Sequence, residues 1–318
     1  MRILVTGANG FVGSALCLRL TASGHSVVAA LRAPISGTER APGGAEVKII
    51  GNVAAHPRWD EALPGVDVVI HLAALVHQTE KPSVEEYRRV NAKGTARLAR
   101  AAAEFGVRRL VFLSSLSVNA GRPAGSAFTE EDAPSPRDDY GISKLEAEQE
   151  LQEIQRGGNL ETVIVRPPLV YGPGVPANFL RLLRIVHRMN PLIVPRLQGK
   201  RSMIGLANLV DVLTVCATHP RAANQLFLVS DNEDVTVSDL MQRIAREMKH
   251  RTWTVPGSES LLRLAAKLIG REDDVRRVID PLTVSPAKAM RLLNWKPPLD
   301  LNAGLATAVQ WFLGSKTV

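Results

Sequence analysis

Arg2-Ile-Leu-Val-Thr-Gly-Ala-Asn-Gly-Phe-Val-Gly13 decides how the rest of the chain is read. Ile3, Leu4 and Val5 form a short aliphatic run of the kind that makes a buried strand. From Gly13 through Leu20 the apolar residues recur at near-helical spacing, and Gly24 supplies a stop. Three glycines occupy the turn between the two. Gly7 permits the tight turn, Gly10 lets backbone amides come close to a pyrophosphate, and Gly13 lets the helix press against the strand. The start of the helix then faces an anion with its unpaired N–H groups and the positive end of its dipole. The spacing is Gly-x-x-Gly-x-x-Gly after Thr6, which differs from the commonest Gly-x-Gly-x-x-Gly fingerprint. Three glycines alone make only a pliable loop. With a strand before them and a helix after, they make a dinucleotide cradle built from Gly7, Asn9, Gly10, Phe11, Val12 and Gly13.

Length and composition set the limits within which this cradle operates. A chain of 318 residues, 45% hydrophobic and 22% charged, has the material for one large core with an attached lobe, or for two. No run of 18 or more apolar residues occurs, and the first apolar stretch contains the glycine turn, so neither a membrane span nor a signal peptide is expected. A cytoplasmic location is the expectation. Cys17 and Cys216 are the only cysteines, both in apolar segments, which excludes a disulfide framework and leaves no metal site. The net charge is +8, the pI near 9.8 and the mean hydropathy +0.01. The basic residues are scattered and few aromatics lie among them, which favours phosphate-bearing small ligands over nucleic acid. No internal repeat is present.

Beyond the first helix, Ser26–Arg32 reads as a second strand. A strand end at this place usually carries an acid when ribose hydroxyls are to be bound, and an arginine when a 2′-phosphate is. Here Leu31 is followed by Arg32, which favours NADP over NAD as cofactor. Residues 33–44 read as loop and Glu46–Ile50 as a third strand, leading into Asn52 and Val53. Val66–Ala74 reads as a fourth strand, with His71 a packed core histidine because no second ligand stands at metal spacing. A long helix is predicted over Tyr87–Phe105 and a fifth strand over Arg109–Ser115. Strands and helices alternating at this rhythm predict an α/β fold of the Rossmann type, a doubly wound parallel sheet.

A second constellation follows the fifth strand. Ser114-Ser115 ends it, a loop spans 119–139, and Tyr140-Gly-Ile-Ser-Lys144 opens a helix. Tyr and Lys four apart share a helix face, so an ammonium can lie beside a phenol and lower its pKa. A serine hydroxyl at a strand end can hold a substrate oxygen against that phenol. Tyr-x-x-x-Lys occurs by chance on many exposed helices; its place after the fifth strand of a nucleotide-binding sheet gives it weight.

With these residues in hand, the chain resembles the extended short-chain dehydrogenase/reductases, in the branch of nucleotide-sugar epimerases, dehydratases and 4-ketoreductases. The matching segments are Thr6-Gly-Ala-Asn-Gly-Phe-Val-Gly13, His71-Leu-Ala-Ala74, Asn91-Ala-Lys-Gly-Thr95, the pair Tyr140 and Lys144, and Arg166-Pro-Pro-Leu-Val-Tyr-Gly-Pro173. Ser115 falls 25 residues before the tyrosine, the interval of the family's serine. The resemblance implies Ser115, Tyr140 and Lys144 as catalytic residues. It implies that Arg32, Asn52, Val53, Leu72, Ala73, Ala74, Asn91 and Pro167 join the glycine cradle around the cofactor, with Lys144 also on the nicotinamide ribose. It places Ser115, Ser117, Asn178, Arg201 and Arg276 (or its neighbour Arg277) at a nucleotide-diphosphate sugar, a UDP-sugar by the closest pattern. It divides the chain into a dinucleotide-binding domain over 1–174 and a smaller C-terminal α/β substrate lobe over 175–318, with about 205–230 returning to the first.

Three departures from the family pattern matter. Asn52 stands in for an Asp beside the adenine, Asn119-Ala120 replaces Tyr-Gly after the catalytic strand, and Leu31 replaces the NAD-reading acid. Three functions stay open: an NADPH-dependent reductase of a UDP-4-keto-6-deoxy-N-acetylhexosamine, in surface-polysaccharide sugar biosynthesis; a UDP-hexose or UDP-N-acetylhexosamine 4-epimerase with bound NAD; and a non-catalytic dinucleotide sensor. Leu31-Arg32 favours the reductase. Leu261, Leu262, Leu264, Leu268 and Ile269 are read as core or interface, and a homodimer is among the assemblies left open.

Overall fold

The computed structural model describes residues 1–34, 42–76, 82–121, 126–158, 160–255 and 280–315. Its strands are β1 (Arg2–Thr6), β2 (Ser26–Leu31), β3 (Glu46–Ile49), β4 (Val68–His71), β5 (Arg109–Leu113) and β6 (Glu161–Arg166). Then come β7 (Leu169–Tyr171), β8 (Leu192–Pro195), β9 (Lys200–Gly205), β10 (Gln225–Leu228), β11 (Asp234–Thr236) and β12 (Thr252–Val255). The main helices are α1 (Phe11–Ala22), α2 (Trp59–Ala62), α3 (Val84–Tyr87), α4 (Gly94–Glu104), α5 (Asp139–Arg156), α6 (Ala177–Arg188), α7 (Leu206–Thr218) and α8 (Val237–Glu247). Helices Ala287–Leu293 and Leu301–Gly314 follow.

Seven strands pair in the order β10-β6-β5-β4-β1-β2-β3, every neighbour parallel. This is the Rossmann arrangement, widened by β10, with its switch point between β1 and β4. Alternation along each strand sends side chains to two helical layers. Ile3, Val5, Ile70 and Val111 meet Leu16 and Leu20 of α1 and Leu209 and Leu213 of α7. Leu4, Val69, Leu110 and Phe112 meet Leu98 and Ala102 of α4 and Leu151 of α5. Arg109 is 1% exposed and fastens β5 to α7: its Nη1 donates to the carbonyls of Cys216 at 2.9 Å and His219 at 2.8 Å, and its Nε donates to Glu161 at 2.7 Å. The cation thus sits where the helix dipole is negative.

The structure corrects one reading of the sequence, that of a helix, and divides two other stretches into separate strands. The run from Thr162 to Gly174 is two strands in different sheets, because Pro167 and Pro168 have no N–H to continue the ladder. β7 instead joins a sheet of order β11-β9-β7. Residues 191–204 likewise divide between β8, paired with β12, and β9. The helix expected over Tyr87–Phe105 begins at Val84, capped by a Ser83–Glu86 box, and passes through a π-helical stretch at Arg88–Lys93 before α4. Apolar periodicity does not register such a bulge, since the bulge only advances the face by one residue. The apolar group at Leu261–Ile269 lies outside the described residues.

A third core joins Tyr171, Phe179, Leu183, Leu192, Leu240, Ile244, Leu305 and Phe312, and Phe11 packs against both it and the first layer. It is joined to the sheet through Asp231, whose carboxylate accepts from Tyr171 Oη at 2.7 Å, Gly205 N at 2.9 Å and Asn208 Nδ2 at 2.7 Å. Asn208 in turn exchanges two hydrogen bonds with the backbone of Leu299. Asp231→Ala leaves these donors buried without an acceptor, and we expect a loss of about 3 kcal/mol in a urea titration. An unchanged midpoint would show that water satisfies the joint.

Candidate active site

The glycine turn, Arg32, Leu72–Ala74, Ser115 and Pro167 lie at the carboxyl ends of the parallel strands, and Tyr140 and Lys144 on the first two turns of α5. The backbone turns at Gly7, with φ +66°, where a Cβ would come within 2.9 Å of Ala73 N. Gly10 N donates back to Gly7 O at 3.0 Å, and Gly10 precedes α1 without a side-chain cap. A Cβ on Gly13 would overlap the carbonyl of Gly7, whereas one on Gly10 meets only that same carbonyl, at 3.1 Å. The cradle is therefore closed toward the sheet and open at Gly10, the shape a pyrophosphate requires. Asn9 is exposed beside it, and Phe11 and Val12 are half-buried.

A buried polar chain runs from this turn to the next strand. Thr95 Oγ1 donates to Asn91 O at 2.5 Å, so it accepts from His71 Nε2 at 3.0 Å. His71 Nδ1 is then the acceptor for the Thr6 hydroxyl at 2.6 Å, while Thr6 Oγ1 itself accepts from Leu72 N and Ala73 N, both at 3.1 Å. The network assigns His71 as the neutral Nε2–H tautomer. Burial first, and the charge of Lys144 second, push its pKa down to about 3. The histidine is a core residue, as its lack of a second ligand predicts, and among the described residues no cluster could hold a metal. Through Thr6 it helps hold the backbone of Leu72 and Ala73 beside the cradle, and Ala74 follows them.

Asn91 lies on the π-helical stretch, which turns its amide toward Leu75 and Ser143. It accepts from Leu75 N at 2.8 Å and donates to Leu75 O and Ser143 Oγ, both at 3.0 Å. Ser143 Oγ donates to Tyr140 O at 2.8 Å, so the π bulge, the strand exit and the first turn of α5 are one hydrogen-bonded unit. Sequence reasoning missed Ser143; its place directly before Lys144 was the available signal.

The start of α5 is pressed against the turn that follows β5. Asp138 caps it by accepting from Gly141 N at 2.8 Å, and a Cβ at Gly141 would lie 2.7 Å from Ser117 O. The hydroxyls of Ser115 and Tyr140 are hydrogen-bonded to each other, and Ser115 Oγ lies 3.1 Å from Ser117 Oγ. Lys144 is 2% exposed with Nζ 4.2 Å from the centre of the Phe112 ring. The sequence predicted a phenol lowered by its neighbouring ammonium. Instead burial dominates both groups: it pushes Tyr140 up to about 12, against the lowering effect of Ser115, and Lys144 down to about 7, against the raising effect of Glu148. At neutral pH Tyr140 is a firmly protonated donor.

The remaining candidates are placed as follows. Arg32 is exposed immediately after β2, and Asn52, exposed after β3, accepts from Ala54 N at 2.9 Å. Val53 packs beside Gly94, and Pro167, buried after β6, accepts from Leu116 N at 2.9 Å. Asn178 is exposed on the first turn of α6. Arg201, on β9, donates to Asp280 O at 2.7 Å, and Arg137 lies 3.8 Å from the Asp280 carboxylate. Arg276 and Arg277 fall outside the described residues. Among the described residues no helix is long and apolar enough to cross a membrane.

The sequence profile of the NAD dependent epimerase/dehydratase family matches residues 3–230. The UDP-glucose 4-epimerase of Vibrio cholerae is 38% identical over 317 residues, 98% of this chain and 95% of that one. The 2-alkyl-3-oxoalkanoate reductase of Stenotrophomonas maltophilia is 30% identical over 255 residues, 77% of this chain and 74% of that one. Among solved structures, MoeE5 in complex with UDP-glucuronic acid and NAD superposes with a TM-score of 0.76 at 28% identity, covering 98% of both chains. A glycine cradle at the β1 exit, a doubly wound sheet and a match across most of the chain lead to one conclusion: the protein belongs to the NAD dependent epimerase/dehydratase family, as an NAD(P)-dependent enzyme of the extended short-chain dehydrogenase/reductase type.

Proposed function

We propose that the enzyme acts at C4 of a UDP-sugar, with NADPH reducing the keto group of a UDP-4-keto-6-deoxy-N-acetylhexosamine. The observation that carries oxidoreduction is the hydrogen-bonded pair of Ser115 and Tyr140 at the start of the helix that carries the buried Lys144. The UDP-sugar is supported by the relatives: the Vibrio cholerae protein is a UDP-glucose 4-epimerase, and MoeE5 is seen with UDP-glucuronic acid and NAD. The residues at the cradle fit a dinucleotide, and the nicotinamide, when bound, supplies the hydride. Ser115 and Tyr140 hold the ketone oxygen between two hydroxyls. Tyr140 gives its proton to that oxygen as the carbonyl carbon becomes an alcohol carbon, and the buried Lys144 binds the ribose and stabilises the phenolate left behind. Ser117 lines the sugar side, with Asn178, Arg201 and Arg276 toward the diphosphate. In this reading residues 1–174 bind the dinucleotide and 175–318 mainly the sugar nucleotide, in the cytoplasm.

NADPH is preferred because Leu31 and Arg32 occupy the strand end where an acid would read NAD. The 38% identity to a 4-epimerase favours a second reading. In it, NAD held at the cradle would supply a reversible hydride acceptor at C4, while Tyr140 would take up the hydroxyl proton and return it, with Ser115 and Lys144 in the same roles. Purified protein separates the two. NAD⁺ kept through desalting, with interconversion of UDP-glucose and UDP-galactose, establishes the epimerase; an empty protein that oxidises NADPH only when a UDP-4-keto sugar is present establishes the reductase.

Tyr140→Phe keeps the ring and removes the proton, so kcat should fall by ~10²–10⁴ while dinucleotide affinity in a fluorescence titration stays unchanged. Near-normal turnover would remove tyrosine-dependent catalysis. Arg32→Ala should weaken NADPH by roughly 10–100-fold and NADH hardly at all, the effect of one charge-assisted hydrogen bond; equal losses would refute the 2′-phosphate reading. Arg201→Ala should raise the KM for the sugar nucleotide by about 10-fold or more without changing the Kd for the dinucleotide, and an unmoved KM takes Arg201 out of the site.

A further inference from the structure

One turn beyond Lys144 on the same face of α5 is Glu148, 1% exposed. Two other elements donate to its carboxylate. Arg166, the last residue of β6, donates from Nε at 2.9 Å and from Nη2 to the second oxygen. Ser114, which directly precedes Ser115 at the end of β5, donates its hydroxyl. The guanidinium continues through Nη1 to Asn119 Oδ1 at 2.9 Å, and Asn119 follows the Leu116–Val118 turn. Every group in this cluster is buried.

A buried ion pair is a poor way to gain stability, since well-packed apolar residues of similar volume often do as well or better. Its location offers another reason. The residues after Ser114 and Arg166 are Ser115 and Pro167, and Lys144 and Tyr140 lie one and two turns before Glu148. We propose that Glu148 is a positioning residue: its carboxylate, held by Arg166 and Ser114, locks α5 against the ends of β5 and β6, fixing Tyr140 opposite Ser115. The proposal rests on the reading of Ser115, Tyr140 and Lys144 given above.

The charge of Glu148 also bears on Lys144, with a definite sign. Nζ of Lys144 lies 4.2 Å from the centre of the Phe112 ring of β5, His71 of β4 and Glu148 on its own helix are coupled to its charge, and Glu148 in turn is bonded to Arg166 of β6. His71 is neutral, so Glu148 is the group that opposes the burial pulling the ammonium down. Without that carboxylate Lys144 loses its proton at lower pH. The high-pH fall in kcat then moves downward by about one pH unit.

The test uses Ser114→Ala, Glu148→Gln, the paired Glu148→Leu/Arg166→Met, and Tyr140→Phe in one turnover assay, with melting curves and dinucleotide titrations alongside. Ser114→Ala retains the ion pair and its charge, so it should fold normally, lose about 10-fold in kcat, keep its KM and keep the wild-type high-pH limb. Glu148→Gln should lose more kcat and shift that limb to lower pH; the pair that replaces both charges, used should Gln not fold, should likewise lose kcat, the removed anion and cation having opposite effects on Lys144. Folded Ser114→Ala and Glu148-substituted proteins with wild-type kcat and an unshifted limb, beside an inactive Tyr140→Phe, overturn the role of Glu148 alone. A Tyr140→Phe enzyme that still turns over overturns the reading beneath it.

Discussion

No methyl group fits between Gly13 and the carbonyl of Gly7. That exclusion brings α1 down onto the exit of β1, and the depth at which the helix sits decides much else. It aims the first amides of α1 at the open side of the turn. It also brings Gly7 against the backbone of Ala73, so the β1 and β4 exits touch where the two halves of the doubly wound sheet diverge. A cofactor spanning that divergence meets surfaces set by backbone geometry rather than by adjustable side chains.

The same reliance on fixed parts continues inward. Thr6, His71, Thr95, Asn91 and Ser143 form a continuous hydrogen-bonded line from the cradle to the helix bearing Tyr140 and Lys144. Each partner is buried, and leaving any one unpaired costs more than a surface bond contributes. The consequence is mutual orientation: the cofactor side and the proton-donating side of the site are not free to drift apart. Burial also fixes protonation, leaving His71 neutral and Tyr140 holding its proton.

Much of this was legible in the chain because it depends on local rules. Gly-x-x-Gly-x-x-Gly between an apolar run and a helical pattern yields a strand, a turn and a helix whatever surrounds them, and Tyr140 and Lys144 share a face by helix geometry alone. The parts that escaped depend on distant partners. Pro167-Pro168 in an apolar run signals a break, but only the presence of β9 decides that Leu169 crosses to another sheet. The π turn at Asn91 exists because its amide finds Leu75 and Ser143, which periodicity cannot register. The expected lowering of the Tyr140 phenol failed for a related reason, since spacing places a lysine nearby and says nothing about how much water the pair retains. Arg201 was placed at the diphosphate by resemblance, and its neighbours Asp280 and Arg137 appear only in three dimensions.

Arg109 has a bearing on synthesis. It clamps the end of α7, and β10, which completes the sheet beside β6, comes after α7 in the chain. A ribosome therefore delivers β7, α6, β8 and β9 before it delivers the pieces that cover α1 and close the sheet edge. Until α7 has emerged the apolar faces of Leu16 and Leu20 lack their cover from Leu209 and Leu213, and until residue 228 has emerged β6 keeps one open edge. The nascent chain passes through a stage in which the nucleotide-binding sheet has its cradle but not its last wall, with an unpaired strand exposed to whatever else is near.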